Sequence, residues 1–138
     1  MELNNKIYEK ILVLCENGDT FVEAEKFSEA INKYVEALNL IPNPKSDWEA
    51  STWIYTALGD TCFLIDMYED ALNFMFEALK CPDALGNPFI LLRIGECFYE
   101  LNNYNKAKEY LLQAYICDGI NIFDDESEKY FDLIKQII

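Results

Sequence analysis

The sequence predicts an all-α fold, an array of three helical hairpins closed by one further helix. Two observations carry that prediction. Gly59, Ala71 and Ala78 are spaced twelve and seven residues apart, and the same ruler fits Gly18, Ala30 and Ala37 upstream and Gly95, Ala107 and Ala114 downstream. Bulky residues keep the same register. Phe21, Cys62 and Phe98 each lie three residues after a glycine; Phe27, Tyr68 and Tyr104 lie nine after it; Tyr34, Met75 and Leu111 lie four after the first alanine. Small residues at fixed places in helical sequence let a second helix approach closely, and alanines seven apart share one helix face. Each unit therefore reads as helix, short turn, helix. At 138 residues, 51% hydrophobic and 14% aromatic, the chain is long and apolar enough for one domain with a continuous core.

The first helix is expected from about Asn4 to Glu23, because Ile7, Ile11, Leu14, Gly18 and Phe21 fall on one face at spacings of four and three. Its partner is expected from about Phe27 to Leu40. The glycine spacing then changes from 41 residues (Gly18 to Gly59) to 36 (Gly59 to Gly95). The extra length sits in the linker Ile41 to Asp47, where two prolines stop the helix; it reads as a spacer or as a contact element. Ser46 followed by Glu49 reads as a capping box opening a helix from about Asp47 to Ile65. Its partner is expected from Tyr68 to Lys80. After a second linker, Asn87 suits an N-cap and Pro88 a first helical turn, which needs no N–H from it. Helices from about Pro88 to Leu101 and Tyr104 to Ile116 complete the third hairpin. Beyond Gly119, Asp125 to Glu128 reads as another helix start, and Tyr130, Leu133, Ile134 and Ile137 form a stripe. A closing helix of this kind covers the apolar face left open by a last repeat.

This pattern resembles the tetratricopeptide repeat (TPR) family, whose helical hairpins repeat every 34 or so residues, over roughly Ile11 to Asp118. There are departures. Tyr55 stands where the family prefers tryptophan, with Leu14 and Leu91 at that place in the outer repeats. Asn17 replaces the usual leucine before Gly18, and the terminal proline, present as Pro42, falls one place early as Pro82. The resemblance implies a right-handed superhelical array with repeats at about 4–40, 47–81 and 88–117 and a capping helix at about 126–138. It also implies that the first helix of each repeat lines a concave surface. In that register Leu12, Cys15, Asp19, Val22 and Glu23 come from the first repeat and Trp53, Thr56, Asp60 and Phe63 from the second. Phe89, Leu92, Glu96, Tyr99 and Glu100 come from the third. Asp19, Asp60 and Glu96 each follow a repeat glycine, so stacking predicts one acidic row with aromatic side chains beside it.

Charge narrows the partner class. With 25 acidic residues against 11 basic, the net charge is −14, which repels nucleic acid and anionic membranes and attracts cationic protein surfaces. Aromatic anchors beside acids suit a basic protein surface or peptide. The terminal carboxylate bound by peptide-binding members of the family is disfavoured, because their lysines and asparagines are replaced here by acids and apolar groups. The chain has no histidine, no CxxC, no phosphate-binding glycine loop and no recognisable nucleophile, so no enzyme activity, cofactor or metal is expected. Five cysteines, an odd number, read as small hydrophobes in a reducing cytoplasm. No apolar run is long enough to cross a bilayer. A monomer in isolation is expected.

A second resemblance rests on PKSDWEASTWIYTALGD, CPDALGNPFILLRIGECFYEL and IFDDESEKYF. These stretches are similar to short bacterial repeat proteins encoded beside polymorphic toxins, which act as their immunity proteins. That likeness implies stoichiometric neutralisation of a basic toxin domain. An assembly adaptor or secretion chaperone that binds a peptide or helical segment is the alternative.

Overall fold

The computed structural model describes residues 3–138, and its helices follow in the order α1 (Asn5–Glu23), α2 (Phe27–Asn39), α3 (Glu49–Leu64), α4 (Tyr68–Leu79), α5 (Pro88–Glu100), α6 (Tyr104–Asp118) and α7 (Glu128–Ile134). Short 3-10 turns cover Lys45–Asp47, Ile120–Phe123 and Lys135–Ile137, and the described residues contain no strand. Helices α1 and α2, α3 and α4, and α5 and α6 pair as hairpins, and contacts of α2 with α3 and of α4 with α5 join the hairpins into a stack.

The repeat ruler marks where the helices touch. All six of its alanines are fully buried. A Cβ placed on Gly18 would lie 2.6 Å from the Tyr34 ring, one on Gly59 2.9 Å from Met75, and one on Gly95 2.7 Å from Leu111. The bulky residue four places after the first alanine is thus the one seated on the glycine in every hairpin. Tyr34, Met75 and Leu111 are themselves almost wholly buried, each contributing about 1.5–3 kcal/mol of apolar burial.

Each hairpin turn also repeats one backbone solution. Glu25, Asp66 and Asn102, seven residues after the glycines, all have positive φ (59°, 63° and 67°). Around them the amides of Lys26, Met67 and Asn103 donate to the carbonyls of Phe21, Cys62 and Phe98 at 2.8, 2.9 and 2.8 Å. This is a Schellman closure, which uses the left-handed residue to satisfy carbonyls at the end of a helix. Glycine usually occupies that position, and none occurs there in this chain.

The helix starts follow local chemistry only in part. The Asn4 side chain accepts from the Lys6 amide, and Asn87 accepts from the Phe89 and Ile90 amides ahead of Pro88. The expected capping box at Ser46 does not form. Lys45–Asp47 coils into a 3-10 turn, Trp48 becomes the residue preceding α3, and it makes no side-chain cap. Its indole N–H instead donates to the Pro42 carbonyl at 2.9 Å, while the Lys45 amine donates to the Ile41 carbonyl, so the linker is folded onto itself. Nor does any side chain of the 125–128 stretch cap α7, whose preceding residue is Ser127. In the expected C-terminal stripe, Tyr130 and Ile134 are buried whereas Ile137 is 54% exposed. Cys62, Cys81 and Cys97 are buried, Cys15 is half-buried and Cys117, expected in the core, is exposed; none is paired.

Replacing Gly95 by alanine is expected to cost about 2–3 kcal/mol, because the new methyl meets both the branched Leu111 side chain and the Leu111 backbone nitrogen at 3.0 Å. Gly59→Ala should cost about 1 kcal/mol or less, since the unbranched Met75 can turn away. Urea unfolding of the two variants checks the order. Glu25→Gly should raise stability by about 1 kcal/mol in the same assay, because it relieves a long side chain held in the left-handed region.

Candidate functional site

The face lined by α1, α3 and α5 carries most of the predicted contact residues, but not as a row of free acids. Asp19 is exposed and accepts the Tyr34 hydroxyl proton; the same ring covers Gly18. Burial, and then that hydrogen bond to a carboxylate, push the Tyr34 hydroxyl pKa far above the ordinary phenol value. Asp60 lies one repeat further on and accepts from Arg93 Nε at 2.8 Å. Arg93 also donates to Glu96 and, across 33 residues of sequence, to Glu126 just before α7. The guanidinium carbon stands 4.4 Å from the Phe63 ring centroid and 5.1 Å from that of Phe89. The chain's one arginine is therefore buried within a cluster of three carboxyl groups and two aromatic faces.

Glu96 is fully buried, and its Oε2 has no hydrogen-bond partner. Loss of hydration raises its pKa most, the neighbouring Glu126 carboxyl group raises it further, and Arg93 lowers it by less, leaving it at about 9. At neutral pH Glu96 therefore holds a proton, and one guanidinium faces two carboxylates and one carboxylic acid. Burial acts to lower the Arg93 pKa, but Glu96, ionised at the alkaline pH where an arginine titrates, together with Asp60 and Glu126 outweighs it and raises it above the ordinary value.

These contacts correct two expectations. Glu96 and Leu92, assigned by register to the contact surface, are inside the molecule; Leu92 belongs to the core cluster of Leu111, Phe123, Tyr130 and Ile134. The C-terminal segment accounts for this. Glu126 reaches Arg93, the Tyr130 hydroxyl donates to Glu100 at 2.7 Å, and Lys129 pairs with Glu100 and lies over the Tyr99 ring. Tyr99 and Glu100 are thus engaged with the closing helix. Val22 packs on the first core cluster, and Glu23 remains exposed at the end of α1.

Four predicted residues do converge. Trp53, Thr56, Asp60 and Phe89 line one open cleft of about 330 Å³, with Thr52 and Asn87 completing its wall. An amino-end cleft, of about 410 Å³, adjoins it at the start of α3 and shares Trp53. Its other walls are Tyr8, Trp48 and Glu49, with Leu3 and Asn5 at the mouth. Tyr8 meets Trp53 edge to face, with ring centroids 6.4 Å apart. Repeat register places Trp53 but not its neighbours here, since Tyr8 precedes the first repeat's glycine by ten residues and Trp48 belongs to a linker. The signal available in the sequence was that both tryptophans lie within six residues of each other.

Solved structures with this arrangement are TPR domains. The Yersinia enterocolitica type III secretion chaperone SycD, solved in complex with a peptide of the translocator YopD, superposes with a TM-score of 0.74 at 14% identity, covering 99% of this chain and 96% of that one. The first TPR of Spaghetti (RPAP3), bound to an HSP90 peptide, gives 0.72 at 16% identity over 94% and 90% of the two chains. The Arabidopsis OM64 TPR domain gives 0.72 at 18% identity over 94% of each. The fold is an all-α array of TPR-like helical hairpins. No family model matches the chain, and no curated protein matches it. Among the described residues no helix is long and apolar enough to cross a membrane, and no cluster of potential metal ligands occurs.

The Glu96 proton sets an expected pH dependence. Its folded pKa lies above the unfolded carboxyl value near 4.5, so the folded chain holds the proton more tightly. The stability this group contributes is fully present below about pH 4.5 and is lost as pH rises from there through 9. Unfolding midpoints of the wild-type chain and Glu96→Gln, compared from pH 5 to 9, should show the wild type losing ground steadily to the variant. A constant difference would contradict the protonated state.

Proposed function

We propose that this protein is a non-catalytic interaction module whose α1–α3–α5 face binds a basic protein surface or segment. The observation that carries this reading is the pair of adjoining clefts, which offer aromatic walls, the exposed Glu49 carboxylate and the Asp60 carboxylate, whose Oδ1 is already held by Arg93, with no lysine or arginine among their lining residues. The net charge of −14 adds long-range attraction for a cationic partner. Aromatic side chains supply burial, and flanking acids select charge.

Two finer readings share this basis. The sequence likeness to immunity proteins supports neutralisation of a basic toxin domain, which the acidic surface would cover. The likeness in fold to a secretion chaperone and to a domain solved with peptides supports an adaptor that holds an extended or helical segment. Asp19, Val22 and Glu23 extend the proposed surface towards the carboxyl end of α1, where Asp19 and Glu23 remain exposed.

Co-expression of the tagged chain with the product of the neighbouring reading frame, followed by capture and a growth assay, separates these readings. One dominant folded partner together with restored growth supports immunity. Several partners, or one export substrate without rescue, supports the adaptor. Capture should weaken between about 0.1 and 0.5 M salt, because charge contributes to it. If no protein is retained under either condition, the binding reading is wrong.

A further inference from the structure

The two clefts have different chemistry and a fixed separation. The amino-end cleft is mainly aromatic: Tyr8, Trp48 and Trp53 form its walls, and Glu49 supplies its one charge. The Trp48 N–H is already committed to the Pro42 carbonyl, so that residue offers its ring rather than a donor. The second cleft is smaller and ends on Asp60, whose Oδ1 is held by Arg93 Nε. That bond fixes the carboxylate in place and leaves it half-exposed, with a side-chain exposure of 32%. Trp53 and Phe89 line the same cleft; the Arg93 guanidinium already lies over the Phe89 ring, so Trp53 supplies the ring surface for a further cation.

Distance along α3 connects the two. The amino-end cleft is lined at Glu49, Ala50 and Trp53, and the second at Thr52, Trp53, Thr56, Ala57 and Asp60. Their centres, near Ala50 and Thr56, are six residues apart, or about 9 Å along the helix. An extended chain covers that distance in about three residues.

We infer that the two clefts form one bipartite site for an extended protein segment that places a large apolar side chain among Tyr8, Trp48 and Trp53 and a lysine or arginine, about three residues away, against Asp60. This rests on the reading that the α1–α3–α5 face binds a basic protein, and it adds the pattern that the face selects. Tyr8, Trp48 and Glu49 become specificity residues, although none lies in the repeat register that defined the face.

The chain provides its own reporter, because its only two tryptophans both line the amino-end cleft. The probe is the blocked tetrapeptide acetyl-Phe-Ser-Ser-Arg-amide, titrated against the whole chain while tryptophan emission is followed. Two control peptides replace Arg by Glu and Phe by Ser. The expected result is a saturable change with the first peptide, at least tenfold weaker binding of the Glu peptide, and at least fivefold weaker binding of the Ser peptide. Tyr8→Ala, Glu49→Lys and Asp60→Asn should each weaken the first peptide at least fivefold. Tyr8 and Glu49 are exposed, so their variants should fold, and circular dichroism confirms it. Equal binding of the Arg and Glu peptides, an emission that never saturates, or affinity unchanged by Tyr8→Ala and Glu49→Lys would overturn the bipartite site. A partner captured equally well by the wild type and by those two variants would leave the broader binding reading standing while this one fell. Peptide binding without any captured partner would remove the protein-binding reading, and the bipartite site would fall with it as a partner site.

Discussion

The structure depends on a steric match made three times: a glycine on the first helix of a hairpin receives a large side chain from the second. Tyr34, Met75 and Leu111 are chemically unlike, yet each comes within 3 Å of where a Cβ would stand on Gly18, Gly59 or Gly95. The match fixes how closely the paired helices approach. The buried alanines either side of the bulky residue then let its helix lie flat against its neighbours. Once that distance is set, the first helices line up beside one another, and side chains a repeat apart come within reach. The contact of Arg93 with Asp60, between α5 and α3, is possible only because of that alignment.

Arg93 shows how an acidic chain organises its interior. Burying a charge is costly unless it is paired and hydrogen-bonded, and here one guanidinium meets Asp60, Glu96 and Glu126 and covers two phenylalanine rings. Three ionised carboxyl groups around one cation would leave uncompensated charge in a poorly hydrated site. Protonation of Glu96 removes most of that conflict. The cluster also joins the second repeat, the third repeat and the C-terminal segment through one side chain. Much of the acidity that register assigns to the α1–α3–α5 face is thereby used internally, and the carboxylates left to solvent belong to Asp19, Asp60, Glu49 and Glu23.

The parts of this fold that were legible in the sequence are those in which geometry dictates residue size. Helix contacts admit little beyond glycine and alanine at the crossing, so the spacing of those residues revealed the hairpins. The Asn87–Pro88 helix start was legible for the same reason, since few residues satisfy it. Ser46 and Glu49 matched a capping motif, but the linker's own 3-10 turn and the Trp48–Pro42 hydrogen bond used the segment differently. The left-handed turn residues were hidden because Glu25, Asp66 and Asn102 occupy places where glycine would have announced them. Around the candidate site, register grouped Trp53, Thr56, Asp60 and Phe89, which line one cleft, with Leu92 and Glu96, which are buried. Their burial comes from Glu126 and the residues after it, and a contact spanning 33 positions leaves no trace in local periodicity.

The docking of α7 has a directional consequence. Because Glu126, Lys129 and Tyr130 fasten onto Arg93, Glu100 and Tyr99, the closing segment covers the third-repeat end of the α1–α3–α5 face. A segment bound along this face as proposed could not run on past the closing helix, which would then act as a doorstop as well as a lid on the core.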